Sequence, residues 1–229
     1  MKKSCLLAVV LALNFLSVSA VNASIVLFEW GVNIDGAVSF PSLGDPVPSG
    51  VNVAGFDDNT GLGVISVTIT GAGSHTFDAF FDHDIIDELV NTYFNETGAA
   101  TGIVAAGQSW EIDEPGFING DIFENFQASV LDNSINNSIH GNTVFPDDVS
   151  MAMGWDFALA AGEQAYIDIL LGLSAPSSGF FLTHTDPDSN LSFYLSSTIN
   201  ISQVPIPAAV WLFGSGLIGL VGIAGKKAA

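Results

Sequence analysis

Every lysine of this chain stands at one of its two ends. Lys2 and Lys3 open it, Lys226 and Lys227 nearly close it, and there is no arginine. All 24 acidic residues lie between Glu29 and Asp188, so residues 24–204 have a formal charge of −24, beyond the −20 of the whole chain. A body built this way must tolerate its own repulsion or recruit cations from outside. It has no lysine or arginine with which to release counterions from a phosphate backbone, which excludes nucleic acid as a partner. An anionic membrane surface is disfavoured for the same reason. Plentiful, patterned Val, Ile, Leu and Phe oppose disorder, and the length suits one domain with a proper core.

The pattern between the ends is that of strands. Ser24–Ile34, Val64–Thr70, Thr76–Phe81, Val149–Leu159, Gln164–Leu173, Gly179–Thr183 and Leu191–Ile201 are short β-rich runs separated by turn residues. Ala161-Gly162 between two of these runs predicts a hairpin. Pro41–Gly50 and Ser174–Gly179 read as loops. Asp84–Phe94 supports two readings: Ile86, Leu89, Val90 and Tyr93 would share one helical face, whereas Asn91–Phe94 favours a strand. The expected fold is all-β, a single antiparallel β-sandwich over residues 24–203, flanked by a signal peptide at 1–23 and a C-terminal transmembrane helix within 204–229.

The ends read as addresses. Met1-Lys2-Lys3 followed by the apolar run Leu6–Leu16 is a Sec signal peptide, with small residues at two candidate cleavage sites for signal peptidase, after Ala20 and after Ala23. The single cysteine, Cys5, precedes the apolar run, so it is no lipoprotein cysteine, and the body has neither disulfides nor thiol chemistry. Ile206–Ala224 is uncharged throughout, and as a helix it measures about 28 Å, enough to cross the inner membrane. Lys226 and Lys227 would then stay cytoplasmic, on the side where Lys2 and Lys3 begin, leaving the acidic body outside.

The C-terminal stretch Val204-Pro205-Ile206-Pro207-Ala208, continued by Ala209-Val210-Trp211-Leu212-Phe213-Gly214-Ser215-Gly216-Leu217 and a short basic end, resembles the PEP-CTERM sorting signals in their Val-Pro-x-Pro-Ala variety. Ile206 replaces the central Glu of the name motif, and the basic end is only two lysines long. The resemblance implies recognition by an exosortase-type transpeptidase, cleavage near the Pro-x-Pro motif, and release to the cell surface or the extracellular polysaccharide matrix. The body, through Asp82-His83-Asp84, Gln108–Gly116 and Thr185–Ser189, looks like uncharacterised secreted domains of such proteins, which names no activity.

The acids cluster in ways that suit calcium, a hard cation taking six to eight oxygens. Candidate ligands are Asp82 and Asp84, and Asp186, Asp188 and Asn190. The last three match the first, third and fifth ligand positions of an EF-hand loop, but Leu191 stands where the turn glycine belongs and Ser197 where the bidentate Glu belongs. The competing reading is a solvated acidic coat. His83 lies between two acids that would orient it as a base or a ligand, although neighbours on a strand point to opposite faces. His75, His140 and His184 read as turn or surface residues. No zinc motif, Gly-x-Ser-x-Gly elbow, phosphate loop or dinucleotide fingerprint occurs. Trp30, Trp110 and Trp155 would stack on sugars in a cleft or, more commonly, fill the core. These features favour an exported, non-enzymatic surface or matrix protein with no catalytic residues. The alternatives are a calcium-dependent carbohydrate-binding module of the matrix and a secreted hydrolase working through paired carboxylates.

Overall fold

The computed structural model describes residues 23–87, 96–115, 120–136 and 148–204. They form eleven strands in two antiparallel sheets. The strands are β1 (Ala23–Ile34), β2 (Ala37–Ser39), β3 (Val51–Asp57), β4 (Leu62–Thr70), β5 (Gly73–Asp87), β6 (Thr97–Thr101), β7 (Gln108–Asp113), β8 (Ser150–Leu159), β9 (Glu163–Gly172), β10 (Phe181–Thr185) and β11 (Ser192–Gln203). The first sheet runs β2-β1-β5-β8-β7 and the second β3-β4-β9-β11-β10-β6. A short helix, α1 (Ile122–Ala128), packs on the outside of the first sheet.

Alternation builds the core. On β9, Ala165, Ile167, Ile169 and Leu171 are buried, while Tyr166 and Leu170 between them are exposed. On β5 the odd residues Phe77, Ala79, Phe81, His83 and Ile85 point inward, where they meet Met151, Met153 and Trp155 of β8 and the inner faces of β4, β9 and β11. The Trp155 indole donates across the core to Ser197 Oγ at 2.7 Å, joining the two sheets. Trp30, Trp110 and Trp155 are all buried, so packing is the role each takes.

The even residues of β5 face outward, and the first sheet is covered there too. Phe80 and Ala152 pack against Ile122, Phe126 and Leu131 from α1 and the chain after it. Asn33 Nδ2 donates to the carbonyls of Phe126 and Gln127 at 2.9 and 3.0 Å, satisfying the last turn of α1. The chain after α1 then lines the open edge of β7: Asn133 exchanges hydrogen bonds with Trp110, and Ile112 pairs with Ser134 and Asn136. An edge that would otherwise offer free N–H and C=O groups is thereby closed.

Two expectations need correction. Strands β8 and β9, joined by the turn at Gly162, do not pair. β8 pairs with β5 and β7 in one sheet and β9 with β4 and β11 in the other, so the turn is an arch between sheets. Each strand is central and already has two partners, which leaves no edge for a hairpin. Asp84–Asp87 are not helical: they continue β5 opposite β1. Glu88–Phe94 lie outside the described residues, as do Ala20 and the sorting residues Pro205, Ile206, Pro207 and Ala208. Ala23 is the first residue of β1, and Val204, just past β11, donates its N–H to Gly162 O. Among the described residues no helix is long and apolar enough to cross a membrane.

Candidate metal centre

The registers of the first sheet align acids into rows on its outer face. Across β7, β8, β5 and β1 the directly opposed residues are Asp113, Ser150, Asp82 and Glu29. The next row is Glu111, Ala152, Phe80 and Gly31, and the one after it is Ser109, Gly154, Asp78 and Asn33. Gly154 is the narrow point of that last row, since a Cβ there would overlap the Asp78 carboxylate. Glu29 joins this face through a β-bulge. The register shifts between Leu27 and Glu29, with Phe28 as the extra, exposed residue. Without that shift Glu29 would follow Ile25 and Leu27 into the core.

Three carboxylates converge at one corner of this face. Glu111 of β7, Asp121 before α1 and Asp132 after it place ligand oxygens within 4.8 Å of one another. Glu111 is fully buried and the other two are exposed, so the cluster is floored by the sheet and open to solvent. Asp121 is the N-cap residue of α1, yet its side chain makes no capping bond, which leaves the carboxylate to face the cluster. Glu111 accepts from Asn125 Nδ2 at 3.1 and 3.2 Å and from the Asp132 N–H at 3.2 Å. Asp132 is braced by Ser134 N, Ser134 Oγ and Asn136 Nδ2. Beside them Asp113 accepts the N–H groups of Glu114 and Asp121, both at 2.8 Å, fixing the entry to α1.

Burial and the Asp132 and Asp121 charges outweigh these donors and push Glu111 up to about 8. Burial likewise lifts Asp113 to about 6. The hydrogen bonds are those of a carboxylate while the surroundings penalise its charge. A divalent cation bound there would resolve that conflict, and an all-oxygen donor set would suit calcium or magnesium.

A second polar group closes one end of the sandwich. Glu96 Oε1 accepts the Ile85 N–H at 2.7 Å, and its Oε2 lies 2.5 Å from His184 Nε2. Both residues are fully buried. Burial raises Glu96 to about 9 and lowers His184 to about 3. His184 is therefore a core residue, not the surface residue expected. Its ring lies 4.8 Å from Phe193, whose other neighbour is His83 at 4.6 Å. His83 points inward between its outward-facing acidic neighbours, as alternation requires. It approaches Gly61 O at 3.4 Å, and Gly61 (φ 64°) has no room for a side chain against that ring. Both histidines are sealed from any substrate.

The proposed calcium ligands are divided by this arrangement. Asp82 and Asp84 lie on the outer face of the first sheet. Asp186 begins the β10–β11 loop, where its carboxylate accepts from Asp188 N and from Ser189 N and Oγ, and Asn190 sits at φ 59°. Asp186 is thus occupied with its own turn. Asp84 and Asp186 nevertheless approach each other's surroundings, since both act electrostatically on Glu96 and His184. Glu111 stands in the acidic run Glu111-Ile112-Asp113-Glu114, but spacing does not group it with Asp121 and Asp132. Glu111 lies on a strand ten or more residues from its partners, and only the fold of 120–136 over β7 brings the three together.

Neither family models, curated proteins nor solved structures match this chain.

Proposed function

We propose that the chain is an exported, non-enzymatic surface or extracellular-matrix protein, sorted through its PEP-CTERM-type C-terminus, whose sandwich uses a divalent cation, calcium by preference, to fasten the cover of its first sheet. The convergence of Glu111, Asp121 and Asp132 within 4.8 Å carries the cation part of this reading. It gains weight from the sequence, because residues 24–204 hold no lysine or arginine to take the ion's place. Glu111 belongs to the sheet, whereas Asp121 and Asp132 belong to the segment lying over it, so an ion bound there ties the two together. Calcium is plentiful outside cells, where the end signals would deliver the body. Export and sorting rest on the two terminal sequences described above.

The test uses the full chain solubilised in detergent. Its thermal midpoint should rise in calcium relative to chelator at matched ionic strength, and rise less in magnesium. No calcium-specific rise would remove the cation from the proposal. Mass spectrometry of the protein from its native host should find chains that begin after Ala20 or Ala23 and end near Pro205–Pro207. Intact residues 1–229 as the sole species would overturn the sorting proposal.

A further inference from the structure

The row Asp113, Ser150, Asp82 and Glu29 crosses four neighbouring strands on one face. Two of its members are satisfied: Asp113 by two backbone N–H groups, and Ser150 by donating to Asp113 O at 3.0 Å. The other two are not. Asp82 is only 6% exposed, and its Oδ1 is buried with no hydrogen-bond partner among the described residues. Oε1 of Glu29, directly opposite on β1, is buried without a partner as well. Like charges facing each other across a strand pair are destabilising in themselves. Asp84 follows two residues on along the same face, and Asp148 stands two residues before Ser150. Both press on Asp82 electrostatically, as do Glu29 and Glu96.

We infer that this patch is a second divalent-cation site, held by Asp82, Glu29 and Asp148 with Asp84 as a flanking charge. A positive ligand would satisfy an unpartnered buried carboxylate oxygen, and the body has no lysine or arginine to supply one. The β-bulge at Phe28 gives the site its second carboxylate, which is the kind of re-aiming bulges perform. The carboxylates stand wider apart than those of the Glu111 cluster, the one set of three among the described residues converging within 4.8 Å. An ion here therefore keeps more of its water and binds more weakly. The site is separate from Glu111, which lies one row up and two strands across, about 12 Å away by sheet geometry.

The competing occupant is a proton shared between Asp82 and Glu29. Calcium titration of the full chain in detergent, followed by calorimetry, separates the two. We expect two sites per chain. Asp82→Asn should abolish the weaker site and leave the tighter, whereas Glu111→Gln should abolish the tighter and leave the weaker. If Asp82→Asn lacks the wild-type circular dichroism, Glu29→Gln takes its place and should weaken the second site at least tenfold. A single site, lost in Glu111→Gln and unchanged in Asp82→Asn or Glu29→Gln, would assign the proton to Asp82 and overturn the inference. A single site lost in Asp82→Asn and unchanged in Glu111→Gln would uphold it while removing the Glu111 reading.

Discussion

Replacing Glu111 with glutamine tests the metal centre in two directions at once. In wild type, calcium at a hundred times its dissociation constant should stabilise the folded state by about 2.7 kcal/mol. At about 2–4 °C per kcal/mol for a chain of this size, the midpoint should rise by about 5–10 °C. Glu111→Gln keeps the size of the side chain and an oxygen for the Asp132 N–H, but removes the charge an ion requires. Its calcium response should fall to the smaller rise that the weaker Asp82 site alone supplies. In chelator the order changes. Burial raises Glu111 from 4.5 to about 8. A raised carboxyl favours folding fully below pH 4.5 and loses that contribution as pH rises towards 8. At pH 7 the loss is at most about 3.4 kcal/mol at about 1.4 kcal/mol per unit, and solvent at the open side of the cluster reduces it to about 2 kcal/mol. Glutamine escapes that loss but gives up part of the Asn125 contact, worth about 1 kcal/mol. The variant should thus equal wild type or exceed it by about 1 kcal/mol in chelator at pH 7, and fall below it in calcium. Scanning fluorimetry of both proteins in both conditions gives the comparison. Equal calcium shifts for the two proteins would refute the assignment of the ion to Glu111.

Two further outcomes follow from single contacts. Asn33→Ala leaves the carbonyls of Phe126 and Gln127 without their donor, so it should cost about 1–3 kcal/mol in urea unfolding; a loss under about 0.5 kcal/mol would show that α1 needs no such anchor. The Glu96–His184 pair shapes the pH profile in chelator. His184, lowered from 6.5 to about 3, supports folding above pH 6.5 and less as pH falls towards 3, whereas Glu96, raised from 4.5 to about 9, supports it below pH 4.5 and less as pH rises towards 9. The pair's own contribution should therefore be largest between about pH 4.5 and 6.5, and Glu96→Gln should flatten the alkaline limb; an unchanged alkaline limb would contradict this.

What the sequence revealed and what it hid divide along the range of the interactions. Strands with strict alternation, such as Ile65-Ser66-Val67-Thr68-Ile69 of β4 and Ala165–Leu171 of β9, announce themselves because one face meets the core and the other water. β7 did not, because Trp110, Glu111, Ile112 and Asp113 are all buried, two on each face. A strand covered on both sides loses its period. β2, β3 and β6 were missed for another reason: they are short or glycine-containing edge strands whose pairing comes from their neighbours. The opposite orientations of His83 and its flanking acids could be read from alternation alone. The side of the sheet that Glu29 faces could not, since it depends on a bulge that nothing in Leu27-Phe28-Glu29 announces. His184 looked like a loop residue because Asp186-Pro187-Asp188 follows it, but its partner Glu96 is distant in sequence.

The same hydrogen bonds suggest where the absence of an ion should be felt. The cover over the first sheet is fastened in part through acids: Asp113 holds the Asp121 N–H, and Glu111 holds Asn125 and the Asp132 N–H. Each bond is strongest when its carboxylate is ionised, and ionisation is what burial opposes at both. An ion at Glu111, Asp121 and Asp132 favours the ionised form and strengthens the fastening. The second sheet owes it nothing, since β9 and β11 are joined by a ten-residue register and packed through Ile167, Ile169, Phe193 and Leu195. Chelation should therefore open the structure locally before it opens globally. Hydrogen exchange should quicken at least tenfold in residues 120–136 while β9 and β11 keep their protection. Equal acceleration in both sheets would place the effect of the ion in the core and refute a role in fastening the cover.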